Sequence, residues 1–342
     1  MTPAPRDDAE LEERLSRPTA AVTDALRQTS GDIVILGAGG KMGPSLTAMV
    51  KRALDGARDS RNVIAVSRFS SQDAAAQLES AGVRVVRADL NDRDSLSRLP
   101  DAPNVIYMAG QKFGTGDLPS LTWAVNTLVP AMVAERYASS RIVAFSTGNV
   151  YALSPATSAG SREGDALTPV GEYANSCVGR ERVLEHASRT RGTPVSIIRL
   201  NYAVDLRYGV LVDIAQRIAA RERVRVDMGY VNVIWQGDAN AQAIRALPLA
   251  ASPPFVVNVT GPERLSVRAV AERLGALLGI PPEVEGIEAP DALLSDTSLA
   301  QTVFGPPSVS TDTLIAWVAD WVARGGTRLG KATKFEVRDG KY

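Results

Sequence analysis

The residues best suited to chemistry begin at Gly37-Ala-Gly39-Gly40-Lys41-Met42-Gly43, directly after the apolar run Ile33–Leu36. A strand that runs through such a turn into a helix makes a phosphate cradle. Gly37 permits the tight turn, Gly40 lets the backbone approach a pyrophosphate, and Gly43 lets the helix pack closely on the strand. The helix N-terminus adds amide donors and a positive dipole end. A second stretch, Ile64-Ala-Val66-Ser67-Arg68, closes the next apolar run without a carboxylate. A carboxylate there would hold ribose hydroxyls, whereas a serine and an arginine both donate and suit a 2′-phosphate. That favours NADP(H) over NAD(H). Asp89 and Leu90, after Val83–Arg87, are placed to flank an adenine. Thiol and imidazole chemistry is nearly absent. One cysteine, Cys177, excludes an internal disulfide and a cysteine-cluster metal site, and one histidine, His186, leaves no His-rich zinc site and nearly removes a Ser-His-Asp triad.

These groups need a frame, and the sequence supplies one. Short β-rich runs at Ile33–Leu36, Val63–Ser67, Val83–Arg87, Val105–Met108, Arg141–Phe145 and Val195–Leu200 alternate with helical stretches near 43–54, 71–80, 92–98, 119–138 and 172–190. Such alternation predicts a doubly wound parallel sheet covered on both faces. Two later runs, Val231–Trp235 and Phe255–Val259, are expected to return to the sheet or extend it. The expected organisation is a polar leader over 1–30, lying on the surface of the next domain. A nucleotide-binding domain follows over 31–202, with 225–260 returning to it. A smaller, mostly helical substrate cap covers 203–224 and 261–325, and a loosely held, glycine-rich tail covers 326–342. The 342 residues carry 38 basic and 38 acidic side chains, so the formal net charge is zero. That balance argues against nucleic acid or an anionic membrane as partner. No apolar run is long enough to span a membrane, and the first thirty residues lack a signal-peptide pattern, so a cytoplasmic location is expected.

Further ordered motifs lie at Ala88-Asp-Leu90, at Asn126 in a helical stretch, at Phe145-Ser-Thr-Gly-Asn-Val-Tyr151, at Glu172-Tyr-Ala-Asn-Ser-Cys177 and at Arg199-Leu-Asn-Tyr-Ala203. Together with the glycine turn and the segments 231–241 and 258–267, they resemble the extended short-chain dehydrogenase/reductase family, also called the NAD-dependent epimerase/dehydratase family, over 32–325. The resemblance implies a Rossmann-type fold and a nicotinamide cofactor. It assigns cofactor contacts to Gly37, Gly40, Lys41, Met42, Gly43, Ser67, Arg68, Asp89, Leu90, Ala109, Gly110, Lys112, Asn126 and Asn201. Thr147, with Ser146 beside it, would hydrogen-bond the reacting oxygen, and Tyr173 would exchange the proton. It also makes a homodimer the expected assembly.

The chain departs from that family at one place that matters. A lysine normally follows the tyrosine by four residues and lowers its pKa, but here Cys177 stands there. A thiol carries no positive charge, so it cannot take over that electrostatic role. A tyrosine near its reference pKa of about 10 can give a proton to a carbonyl oxygen but is a poor base. Gly148 and Asn149, where the family's sugar dehydratases place an acid and a base, argue against dehydration. The expected function is therefore an NADPH-dependent ketoreductase acting on a small-molecule carbonyl, such as that of an aromatic polyketide. A nucleotide-sugar epimerase with tightly held NAD and a non-catalytic NADP-binding sensor are the alternatives.

Overall fold

The computed structural model describes residues 2–69, 72–112, 118–331 and 333–341. Seven strands form one sheet: β1 (Ile33–Leu36), β2 (Val63–Ser67), β3 (Arg84–Arg87), β4 (Asn104–Tyr107), β5 (Arg141–Thr147), β6 (Val195–Leu200) and β7 (Phe255–Val259). Their order is β7-β6-β5-β4-β1-β2-β3, with every pair parallel. This is the doubly wound α/β architecture that the alternation predicts. The chain reverses its direction of travel across the sheet between β1 and β4, which leaves a crevice at the carboxyl ends of those two strands.

Strand β1 shows why the sheet is buried on both sides. Ile33 and Ile35 enter one apolar cluster with helices α2 (Ala20–Arg27), α3 (Gly43–Gly56) and α10 (Gln236–Arg245). Val34 and Leu36 enter the opposite cluster with α7 (Val129–Arg136) and α8 (Gly171–Arg191). Alternate residues of an extended chain face opposite sides, so a continuous Ile-Val-Ile-Leu run fits only a strand covered twice.

A third cluster packs α9 (Val210–Ala219), α11 (Val267–Leu278) and α13 (Thr311–Ala323) together. Residues 8–15 of the stretch read as a polar leader form α1, and Leu11 and Leu15 lie fully buried in this same cluster. The run Val231–Trp235 does not join the sheet. Tyr230–Val231 pairs with Leu265–Ser266, and Ile234–Trp235 with Ala203–Val204, in two-residue ladders outside it. Asn232 interrupts the apolar run between these ladders, and its side chain donates to the Ser295 carbonyl at 2.8 Å. The tail is also fastened rather than loose. Thr327 O accepts from Trp321 Nε1 at 3.0 Å, Leu329 N donates to Arg207 O at 3.1 Å, and Phe335 is 2% exposed. Each of these contacts joins residues that sequence composition alone cannot pair.

Candidate active site

The turn after β1 is built from backbone packed against backbone. Gly37 has φ +90°, and a Cβ on it would lie 2.6 Å from Ala109 N. A Cβ on Gly43 would lie 2.2 Å from Ala38 O, so neither position accepts a side chain. Gly39 abuts Ser67 at the end of β2, where a Cβ would meet Ser67 Oγ at 2.7 Å. Gly40 is different: its added Cβ would meet only Gly37 O, at 3.3 Å, and the residue opens on a cleft. Helix α3 starts at Gly43 with no side-chain cap and with proline in its first turn, which leaves its first amides for a ligand. The cradle therefore fits the pyrophosphate of a dinucleotide.

The cleft has a volume of about 760 Å³ and runs from this turn to the start of α8. Lys41, Met42, Gly110, Lys112 and Asn201 line it, together with Ser146, Thr147 and Tyr173. Lys41 Nζ sits 3.3 Å from the centre of the Tyr208 ring, and burial lowers its pKa to about 7. Burial likewise lowers Lys112 to about 8, and its ammonium reaches the Thr333 carbonyl at 3.4 Å. Ser67 lies at the loop, and Arg68 is exposed just beyond it. Leu90 packs into the core, while Asp89 accepts two hydrogen bonds from Asn91, both at 3.0 Å. Asn126 is fully buried and works from behind the cleft. It sits in a π-helical turn, Ala124–Leu128, and its side chain clamps Gln111 through both backbone N and O at 2.9 Å. That clamp holds the segment after β4 that carries Ala109, Gly110 and Lys112.

At the far end, β5 runs two residues beyond its expected close at Phe145 and so carries Ser146 and Thr147. The two hydroxyls have separate fates. Ser146 donates to Glu181 at 2.5 Å, and Glu181 pairs with Arg199 at 2.7 Å, both side chains nearly inaccessible. Arg199 donates on to Tyr151 at 2.6 Å, and Tyr151 to Asn258 at 2.8 Å. The Ser146 proton is thus committed to a buried network. Thr147 Oγ1 instead accepts from Asn149 N at 3.2 Å and from Asn149 Nδ2 at 2.9 Å. With its lone pairs so occupied, its own proton is left to donate. The Tyr173 hydroxyl lies within hydrogen-bonding reach of Thr147 and Cys177. Burial lifts the Tyr173 pKa well above the ordinary phenol value and raises that of the Cys177 thiol too.

Some residues of the site escape sequence reasoning. Arg180 is 5% exposed, and its guanidinium donates to Asn126 Oδ1 at 2.7 Å, Phe145 O at 2.8 Å and Asn126 O at 3.3 Å. Asn149 fixes Thr147, and Lys331 and Thr333 of the tail form part of the cleft wall. Only Arg180 leaves a trace in the sequence, seven residues after Tyr173 and so on the same helix face.

No family model and no curated protein matches the chain. Solved structures do resemble it. An epimerase from Methanothermobacter thermautotrophicus aligns with a TM-score of 0.74 at 18% identity, covering 89% of this chain and 96% of that one. A short-chain dehydrogenase/reductase superfamily protein from Agrobacterium tumefaciens, with bound NAD, gives 0.70 at 18% identity over 85% and 96%. The UDP-Glc/GlcNAc 4-epimerase of Campylobacter jejuni gives 0.69 at 21% identity over 86% and 100%. At these identities the likeness is one of fold. The chain has the Rossmann-type architecture that these epimerase and dehydrogenase/reductase structures share.

Proposed function

We propose that this chain is a nicotinamide-dependent oxidoreductase that reduces the carbonyl of a small molecule, with NADPH as the preferred reductant. The observation that carries the reading is the meeting of Thr147 and Tyr173 in one wall of a cleft whose other end is the glycine turn. A reduced nicotinamide held by that turn would supply the hydride. Thr147, with its oxygen engaged by Asn149, donates its proton towards a carbonyl oxygen and polarises it. Tyr173 gives that oxygen a proton. Its raised pKa keeps the phenol protonated at neutral pH, which suits an acid and not a base. Reduction is therefore the direction the site favours. The volume of about 760 Å³ falls in the range of small-molecule sites, and an aromatic ketone is the substrate class proposed. Ser67 and Arg68, two donors with no carboxylate beside them at the end of β2, support NADPH over NADH.

Native mass spectrometry of the purified protein with each nucleotide, followed by absorbance assays on a panel of ketones, tests the reading. NADPH should bind in preference to NADH and be oxidised when an aromatic ketone is added. NAD retained through purification, with interconversion of sugar nucleotides and no net cofactor use, would replace reduction by epimerisation. Binding without turnover across a broad panel would favour a sensor.

A further inference from the structure

Arg180 is a buried cation without an anion. Its three hydrogen bonds all go to neutral oxygens, and among the described residues no carboxylate lies within ion-pair distance of it. Glu181 beside it belongs to Arg199. A guanidinium has five N–H donors, so two remain unspent on an edge that reaches the cleft at Gly110. A Cβ on Gly110 would meet Arg180 Nη2 at 2.7 Å, which shows how tightly the group is seated. Burying an unpaired charge is costly, and it persists where something else makes use of the field.

The helix brings that field to Tyr173. Residues 173, 177 and 180 lie on one face of α8, and seven residues span about 10 Å along the axis. Side chains lean towards the N-terminus of their helix, so the long Arg180 side chain points back towards Cys177 and Tyr173. We propose that Arg180 supplies, from two turns along the same helix, the positive charge that stabilises Tyr173 as it gives up its proton. This rests on the reduction reading. The Tyr173 O–H bond breaks, the new O–H bond forms on the substrate oxygen, the carbonyl carbon takes the hydride of the reduced nicotinamide, and solvent later returns the proton to Tyr173. Arg180 acts through Tyr173 and is a positioning residue.

Among the described residues, Tyr173 meets Cys177 and Arg180 from its own helix, Thr147 from β5 and Lys112 from the segment after β4. Tyr107 of β4 stacks against Arg180, with its ring centre 5.8 Å from the guanidinium carbon. Lys112 is the rival cation. Its ammonium lies 5.9 Å from the centre of the Tyr173 ring and loses its proton near pH 8, whereas a guanidinium keeps its charge.

The test reads the protein alone. A difluorotyrosine at 173 brings the phenol ionisation into an accessible range, and fluorine NMR follows its midpoint. Arg180→Gln should raise that midpoint by about one pH unit or more, as expected for loss of a nearby opposite charge, and Arg180→Lys should restore most of it. If Arg180→Gln does not fold, Asn126→Asp places a carboxylate against the guanidinium and should raise the midpoint in the same sense. An unmoved midpoint in these variants, or a shift in Lys112→Met alone, would overturn the assignment. A ketone turned over by a protein whose midpoint does not move refutes the role of Arg180 only. A midpoint that moves in a protein that reduces no ketone refutes the reduction reading only.

Discussion

The glycine turn after β1 and the phenol end of α8 face one another across a single cleft, and they are held by opposite means. At the turn, shape comes from missing side chains: Gly37 and Gly43 are pressed against the backbone of Ala109 and Ala38. At the phenol end, shape comes from side chains that capture one another, in the run from Ser146 through Glu181 and Arg199 to Tyr151. The turn does its work with amides that any sequence carries. The other end depends on particular groups in particular protonation states.

Removing Glu181 should break the second end hardest. Glu181→Ala leaves Arg199 buried without its partner, and thermal or denaturant unfolding should show a loss of about 3–5 kcal/mol. Tyr173→Phe should leave the melting temperature nearly unchanged and cut the ketone-reduction rate on the order of 100-fold, as loss of a general acid does. If the rate falls only slightly, the substrate or solvent supplies the proton. At the turn, Gly43→Ala should cost about 1–3 kcal/mol through overpacking against Ala38 O. Gly40→Ala meets a single contact, Gly37 O at 3.3 Å, so it should cost less stability than Gly43→Ala and weaken nucleotide binding, measured by fluorescence titration. Equal effects at both glycines would erase the distinction between a packed and a ligand-facing position.

The remaining effect is one of pH. Lys41 and Lys112 have folded pKa values of about 7 and about 8, below their ordinary lysine value. Between those values and about pH 10 the unfolded chain holds more protons, so stability rises with pH across that window. Tyr107 and Tyr151, pushed up to about 12, act the other way above about pH 10, where only the unfolded chain loses phenol protons. The melting temperature of the ligand-free protein should climb from pH 7 to pH 9 and fall beyond pH 10. A flat profile would mean that the two lysines are hydrated.

The parallel sheet was legible because a strand buried on both faces is mostly apolar, and the unbroken run Ile33–Leu36 admits little else. The glycine turn was legible for a related reason, since its constraint is local. The departure at Cys177 could be read off the helix by counting. Arg180 left only its seven-residue spacing from Tyr173, because Arg180-Glu181-Arg182 looks like a solvated face until the packing of α8 sends the first two inward and the third outward. The tail was illegible for want of any local signal, as Thr333 finds Asp213 and Arg338 finds Asp291 only in three dimensions.

The buried pair between α8 and β6 also bears on how the chain avoids folding wrongly. Ser146 and Arg199 are lateral partners in the ladder between β5 and β6, and both reach Glu181 on the helix that joins those strands. The neighbouring runs of valine and isoleucine are nearly interchangeable, and apolar contact alone would tolerate a slip. A shift of β6 by one residue would turn Arg199 to the other face of the sheet and strand two charges in the interior. The ion pair thus favours the native register of this central pairing, since a chain slipped by one residue would leave both charges buried and unpaired.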